Sequence, residues 1–325
     1  MLKILTLATA TAVALGSTAF AASRVERVAF ASHGEQIVGD LYLPEDLDAR
    51  PRSALVVTGA WMTVKEQMPA RYARELADRG FVALTFDFRG WGESGGARRQ
   101  YEDPSAKVAE FEAAVAYLAA RPEISKDRIG GLGICASSGY MVTAAAKNAA
   151  IKSVALVAPW LHDAEVVEQT HGGKDGIARL EAVGDAAEAA YRRTDKQAFL
   201  PAASLTDERA IMFKVPYYTE AGRGMIPAWR NEADPAFWRG WLTFDAIQAA
   251  RRLHQPLLMV HSETAAIPQG AQKFYARVTG PKQQLWLDNV TQFDFYDRGA
   301  PVKAASDAVA AHFRATLGSA GEAGQ

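Results

Sequence analysis

The chain has 325 residues, is 49% hydrophobic and carries a formal net charge of −1, enough apolar material for one large core, alone or with an insertion. No Lys/Arg run or basic face is visible, which excludes nucleic acid as an expected partner. A single cysteine, Cys135, is present, so no internal disulfide is available and the thiol is either buried or kept for its reactivity.

The opening stretch MLKILTLATATAVALGSTAFAAS has a lysine near its start, an apolar run and an Ala19-Phe20-Ala21 cleavage signal. Residues 1–21 therefore read as a secretory signal peptide, with a mature chain starting at Ala22 and a periplasmic or secreted destination. No other stretch is long and apolar enough to cross a bilayer, so no membrane partner is expected once the signal is removed.

Next comes RVERVAFASHGEQIVGDLYLPE, whose alternation predicts an antiparallel hairpin about His33-Gly34. From there short apolar runs alternate with helical patterns. The strands are SALVVTGA, FVALTFDF, RIGGLGI and KSVALVAPW; the helices are EQMPARYARELADRG, SAKVAEFEAAVAYLAAR and CASSGYMVTAAAKNAA. After Trp160 the alternation breaks, and residues 161–254 hold helical patterns followed by the aromatic-rich YYTEAGRGMIPAWRNEADPAFWRGW. Strand and helix then resume with PLLMVHS, GAQKFYARV, QQLWLD and ASDAVAAHFRATL, before a tail at 319–325 expected to be disordered.

This order predicts an α/β fold: a mostly parallel, doubly wound sheet built from residues 22–160 and 255–318, with helices on both faces. The insertion, 161–254, falls between the sixth and seventh strands and would lie as a lid over the carboxyl edge of the sheet, where ligands bind in such folds. Trp229, Trp238, Trp241, Tyr217 and Tyr218 are its candidate pocket residues.

The stretch GLGICASSGY, residues 131–140, has the small-x-nucleophile-x-small pattern of a strained strand-to-helix turn. Two registers fit, one placing Cys135 at the nucleophile position and the other Ser137. A strand of ordinary length from Asp127 ends near Ile134, which favours Cys135. A helix start there would offer free N–H groups and lower the thiol pKa. The N–H of Ala136 would supply half of an oxyanion hole, and Ala60 or Trp61 in the loop TGAW the other half. An inert small cysteine at a helix–sheet contact is the plain alternative.

With TGAWMTVKEQ, FDFRGWGESGG, GICASSGY and FDFYD in this order, the chain resembles the α/β-hydrolase superfamily, and within it the dienelactone-hydrolase-like and polyketide-transferase-like branch. The resemblance implies an α/β-hydrolase fold and a triad in the order nucleophile, acid, histidine, with Cys135 first. The acid would be Glu263, the only carboxylate in VHSETAAIPQG. The histidine position, in DNVTQFDFYD, holds Gln292 after Thr291, and an amide cannot take up a proton near neutral pH. Three side chains are candidate substitute bases: Glu66, in a region from which dienelactone-hydrolase-like enzymes bring a glutamate to the thiol; His162, following the sixth strand; and His261, ending the seventh. His33, His171, His254 and His312 are set aside.

No metal-ligand spacing and no phosphate-binding glycine pattern is present, so no metal or cofactor is expected. The expected partner is a small acyl compound: an ester, thioester or lactone. A binding protein on a degenerate hydrolase fold and a redox-active thiol protein are the rival readings, the second requiring an exposed, acidic thiol.

Overall fold

The computed structural model describes residues 24–318; the expected signal peptide and the 319–325 tail lie outside the described residues. The strands are β1 (Arg24–Ser32), β2 (Glu35–Leu43), β3 (Arg52–Thr58), β4 (Val82–Phe86), β5 (Ile124–Ile134), β6 (Ser153–Val157), β7 (Ala203–Ser204), β8 (Met212–Phe213), β9 (Leu257–His261) and β10 (Lys282–Trp286). The helices are α1 (Met68–Ala77), α2 (Pro104–Ala119), α3 (Ser137–Ala145), α4 (Ala164–Thr170), α5 (Gly173–Thr194), α6 (Trp238–Thr243), α7 (Pro268–Arg277), α8 (Asp294–Asp297) and α9 (Gly299–Leu317).

Eight strands form one sheet in the order β1-β2-β4-β3-β5-β6-β9-β10. The β1–β2 hairpin and the β2–β4 contact are antiparallel; every later pairing is parallel. Burial explains the sequence patterns. β3, β4, β6 and β9 are covered on both faces and read as unbroken apolar runs, whereas β1 has one face in water and alternates. α1 and α9 pack together on one face and α2 and α3 on the other. This is the α/β-hydrolase fold.

The chain between β6 and β9 contains α4, α5, the two-stranded β7–β8 sheet, short 3-10 turns and α6. Of the five expected aromatic residues, Tyr218, Trp238 and Trp241 line a cavity beneath it, whereas Trp229 and Tyr217 are buried without lining it. Trp241 stacks on Trp61 at 4.6 Å, with Phe237 and Trp238 at 5.3 and 5.8 Å from the same ring. No helix of the described residues is long and apolar enough to cross a membrane.

Candidate active site

The turn after β5 settles the register of the small-residue motif. Ile134 ends the strand, Cys135 adopts φ +54°, and α3 begins at Ser137. A left-handed conformation at a non-glycine residue costs about 1–3 kcal/mol and persists only where the surroundings enforce it. Here the backbone is clamped on both sides: Cys135 N–H donates to Val157 O at 3.1 Å, and Trp160 N–H donates to Cys135 O at 2.9 Å. The neighbouring helix comes so close that a Cβ on Gly133 would lie 2.7 Å from Ser138 Cα. Ser137 lies in the first helical turn, fully buried.

Three non-glycine residues in the loops after β3, β6 and β9 also have positive φ: Met62 (+58°), Ala158 (+45°) and Ile267 (+43°). Each shapes a loop at the carboxyl edge of the sheet. The loop after β3 is pinned at Met62 from both sides, since its N–H donates to Glu102 Oε2 at 3.2 Å and its carbonyl accepts from Trp229 Nε1 at 2.7 Å. Glu102 is itself buried, paired with Lys107 Nζ at 2.7 Å and accepting from Tyr140 Oη at 2.7 Å.

Cys135 is 7% exposed and sits at a cavity of about 550 Å³. The polar groups beside its sulfur, which favour the thiolate, are the Tyr296 hydroxyl, the N–H groups of Ala136 and Trp61, and the Gln292 side chain. All four residues also line the cavity. Burial pushes the thiol pKa up, and these groups only partly offset it. The lowering expected from the helix start is therefore outweighed by desolvation, and the resting group is a neutral thiol.

Gln292 is fixed by three bonds. Its Oε1 accepts from Ala266 N–H at 3.0 Å, while Nε2 donates to Ala158 O at 2.9 Å and to Tyr296 Oη at 3.0 Å. The backbone partners define which end of the amide is which. Two of the strained loops, at Ala158 and next to Ile267, thus serve to hold this side chain.

The other expected site residues lie elsewhere. Glu263 is exposed and accepts from Gln272 Nε2 at 2.9 Å, away from Gln292 and the thiol. Ala60 directs its N–H at Met68 Sδ, 3.5 Å away, leaving Trp61 as the residue of that loop facing the thiol. Glu66 is bound to Lys65 Nζ at 2.6 Å. The same ammonium holds Asp87 at 2.8 Å and Glu93 at 2.5 Å. Lys65 fills this cluster of three carboxylates with its own positive charge, and Glu66 does not border the cavity.

His162 is a structural link: its Nδ1 accepts from Trp160 Nε1 at 2.9 Å and its Nε2 meets Trp241 O at 3.2 Å. Burial pushes its pKa down to about 4, so it is a neutral ring with both nitrogens engaged. His261 is fully buried against Trp286, its pKa likewise pushed down to about 4 by burial, with the Ala266 backbone as a weak opposing influence. Neither borders the cavity. Among the described residues, the histidine that does is His171, which sequence reasoning discarded; it lies on the lid and packs edge-on against Trp238 at 5.9 Å. Tyr296 was missed as well, although it stands in the FDFYD run; nothing in an aromatic residue at helical spacing separates a core ring from one whose hydroxyl meets a thiol.

Residues 33–291 match the X-Pro dipeptidyl-peptidase (S15) family. The chain belongs to this family. It is similar to the uncharacterized protein PA2218 of Pseudomonas aeruginosa, with 29% identity over 84% of this chain and 76% of that protein. The crystal structure of PA2218 superposes with a TM-score of 0.82, covering 91% of this chain and 94% of that one. The α/β hydrolase GrgF from Penicillium sp. sh18 shares the fold at a TM-score of 0.76 and 18% identity, over 90% of this chain and 99% of that one. Over a shorter region, 39% of this chain and 38% of the relative, the chain is 31% identical to the thiohydrolase aneE of Aspergillus aculeatus. Family and neighbours together support an enzyme of general α/β-hydrolase type.

Proposed function

We propose that this protein is an acyl-transfer enzyme of α/β-hydrolase type in which Cys135 attacks the carbonyl carbon of an ester, thioester or lactone. The observation that carries the reading is the strained turn: it sets a sulfur at the base of an apolar cavity with two backbone N–H groups, from Ala136 and Trp61, turned toward it. As the carbonyl becomes tetrahedral, its oxygen takes up negative charge, and those N–H groups are fixed donors for it. Removing one such donor typically costs about 10²–10³ in rate. A thioester fits this site well, because attack by a thiol exchanges one carbon–sulfur bond for another and needs little driving force from a strong base. The thiohydrolase name of the Aspergillus relative points the same way.

Among the described residues no carboxylate lines the cavity, and the imidazole that does, His171, is tied at Nδ1 to Thr170 and Val167 of α4, so water activation is the weak step and the acyl-cysteine is expected to accumulate. Intact-protein mass spectrometry with a short-chain acyl thioester tests this: one acyl mass on the wild type, none on Cys135→Ala. The same absence of a base supports a second reading, a binding protein that retains the cavity without turnover. Tight binding of an acyl ligand with no adduct and no hydrolysis would favour it. The redox reading requires an exposed, acidic thiol, and the burial that raises the Cys135 pKa argues against it.

A further inference from the structure

We propose that Tyr296 carries the proton between the Cys135 sulfur and the departing group, doing by relay what a histidine would do by storage. This rests on the reading of Cys135 as the acylated residue. Tyr296 and Cys135 line the same cavity, and the hydroxyl is the side-chain group that most counteracts the burial of the thiol, so it is placed to reach both the nucleophile and a leaving group seated there. Its orientation is fixed. Gln292 Nε2 donates to Tyr296 Oη at 3.0 Å, and the Gln292 amide is in turn oriented by Ala266 and Ala158. One lone pair of Oη is thereby occupied, while its second lone pair and its own proton remain for the sulfur and the substrate. The ring is buried and held edge-on between Tyr217 at 5.1 Å and Phe293 at 5.6 Å. Gln292 accordingly acts as a positioning residue, and the hydroxyl is the group placed to reach the reacting atom.

The step balances without a strong base. Cys135 Sγ bonds to the acyl carbon and its S–H proton passes to Tyr296 Oη. The Oη–H proton passes at the same time to the leaving sulfur or oxygen as its bond to the acyl carbon breaks. Tyrosine begins and ends as a neutral phenol. Such a relay works only when the leaving group accepts a proton. A leaving group that departs as a stable anion, such as p-nitrophenolate, leaves nothing to receive the Oη proton and must be expelled by the thiolate instead.

The test compares acylation of wild type and Tyr296→Phe by hexanoyl-N-acetylcysteamine, a thioester of an alkyl thiol, and by p-nitrophenyl hexanoate. The expected result is a loss of about 10² with the thioester, the scale of a lost acid–base group, and a loss of less than about tenfold with the nitrophenyl ester. Wild-type acylation by the thioester should be flat across neutral pH, and in Tyr296→Phe it should rise with pH as the thiolate becomes the required species. Should the phenylalanine variant misfold, the solvent deuterium isotope effect on the wild type gives the answer, being large with the thioester and small with the nitrophenyl ester. Equal losses with both substrates, or equal isotope effects, overturn the relay. Absence of a Cys135 adduct in the wild type with either compound overturns instead the acyl-transfer reading beneath it.

Discussion

At the scale of single residues, the site depends on what Cys135 has around it. A serine hydroxyl there would depend on a base to attack, whereas sulfur is intrinsically the stronger nucleophile and depends on one least. Cys135→Ser should therefore lose at least about 10² in acylation rate while keeping the fold; an equally fast serine variant would reveal a base. Alkylation by iodoacetamide should climb steadily through the ordinary range of thiol titration without a plateau, since burial holds the pKa of Cys135 up. An early plateau near neutral pH would show the donors winning over desolvation. Gln292→His would bring an imidazole to the sulfur, and the expected gain in steady-state thioester hydrolysis is at least tenfold, within the roughly 10²–10⁴ range of general base catalysis. Cys135 was legible in the sequence because the turn demands small residues at fixed spacing. Gln292 was legible as a position, and its three anchoring bonds were not. Glu263 was chosen as the only carboxylate in its loop, but whether a loop side chain turns inward depends on backbone path, which composition does not encode.

Elements explain how a loop as short as the one after β3 holds a fixed shape. Met62 stays left-handed because Glu102, two residues before α2, and Trp229 from the lid take its two backbone groups. Glu102→Gln would leave Lys107 buried without a carboxylate. Removal of one member of a buried pair costs about 3–5 kcal/mol, a loss visible in urea unfolding. Trp229→Phe removes one hydrogen bond, worth about 1 kcal/mol of stability, yet should slow Cys135 acylation by tenfold or more because the Trp61 N–H loses its aim; an unchanged rate would show that Met62 needs no anchor. The central strands were readable along the chain from unbroken apolar runs, since strands buried on both faces have no reason to alternate; their neighbours in the sheet were not. The lid was read as helical with aromatic residues, and its β7–β8 pair was not foreseen: two-residue strands have no periodicity, and the pair forms from tertiary position alone.

On the scale of the whole molecule, two buried histidines tie stability to pH. His162 and His261 both have folded pKa values of about 4 through burial, below the ordinary histidine value of 6.5. The unfolded chain binds their protons first, so their contribution is present above about pH 6.5 and is lost as pH falls toward 4. For a shift of this size the loss is on the order of 3 kcal/mol per histidine. Urea midpoints at pH 7 and 4.5 should differ accordingly, and His261→Phe should flatten the profile; an unchanged slope in that variant would remove His261 from the account. His261 ends β9 against Trp286, and His162 lies in the loop after β6 against Trp241 and Phe244 of the insertion. Their burial followed from the global fold, which is why the sequence offered them as bases when the structure uses them as packing.

The central claim is that Cys135 is acylated in a site without a strong base. The most direct measurement is intact-protein mass spectrometry of wild type and Cys135→Ala, sampled over time after mixing with hexanoyl-N-acetylcysteamine. A single hexanoyl adduct is expected on the wild type, forming quickly, decaying slowly and absent from the variant. No adduct on the wild type while the thioester stays intact, or thioester cleavage at the same rate in both proteins, would contradict it.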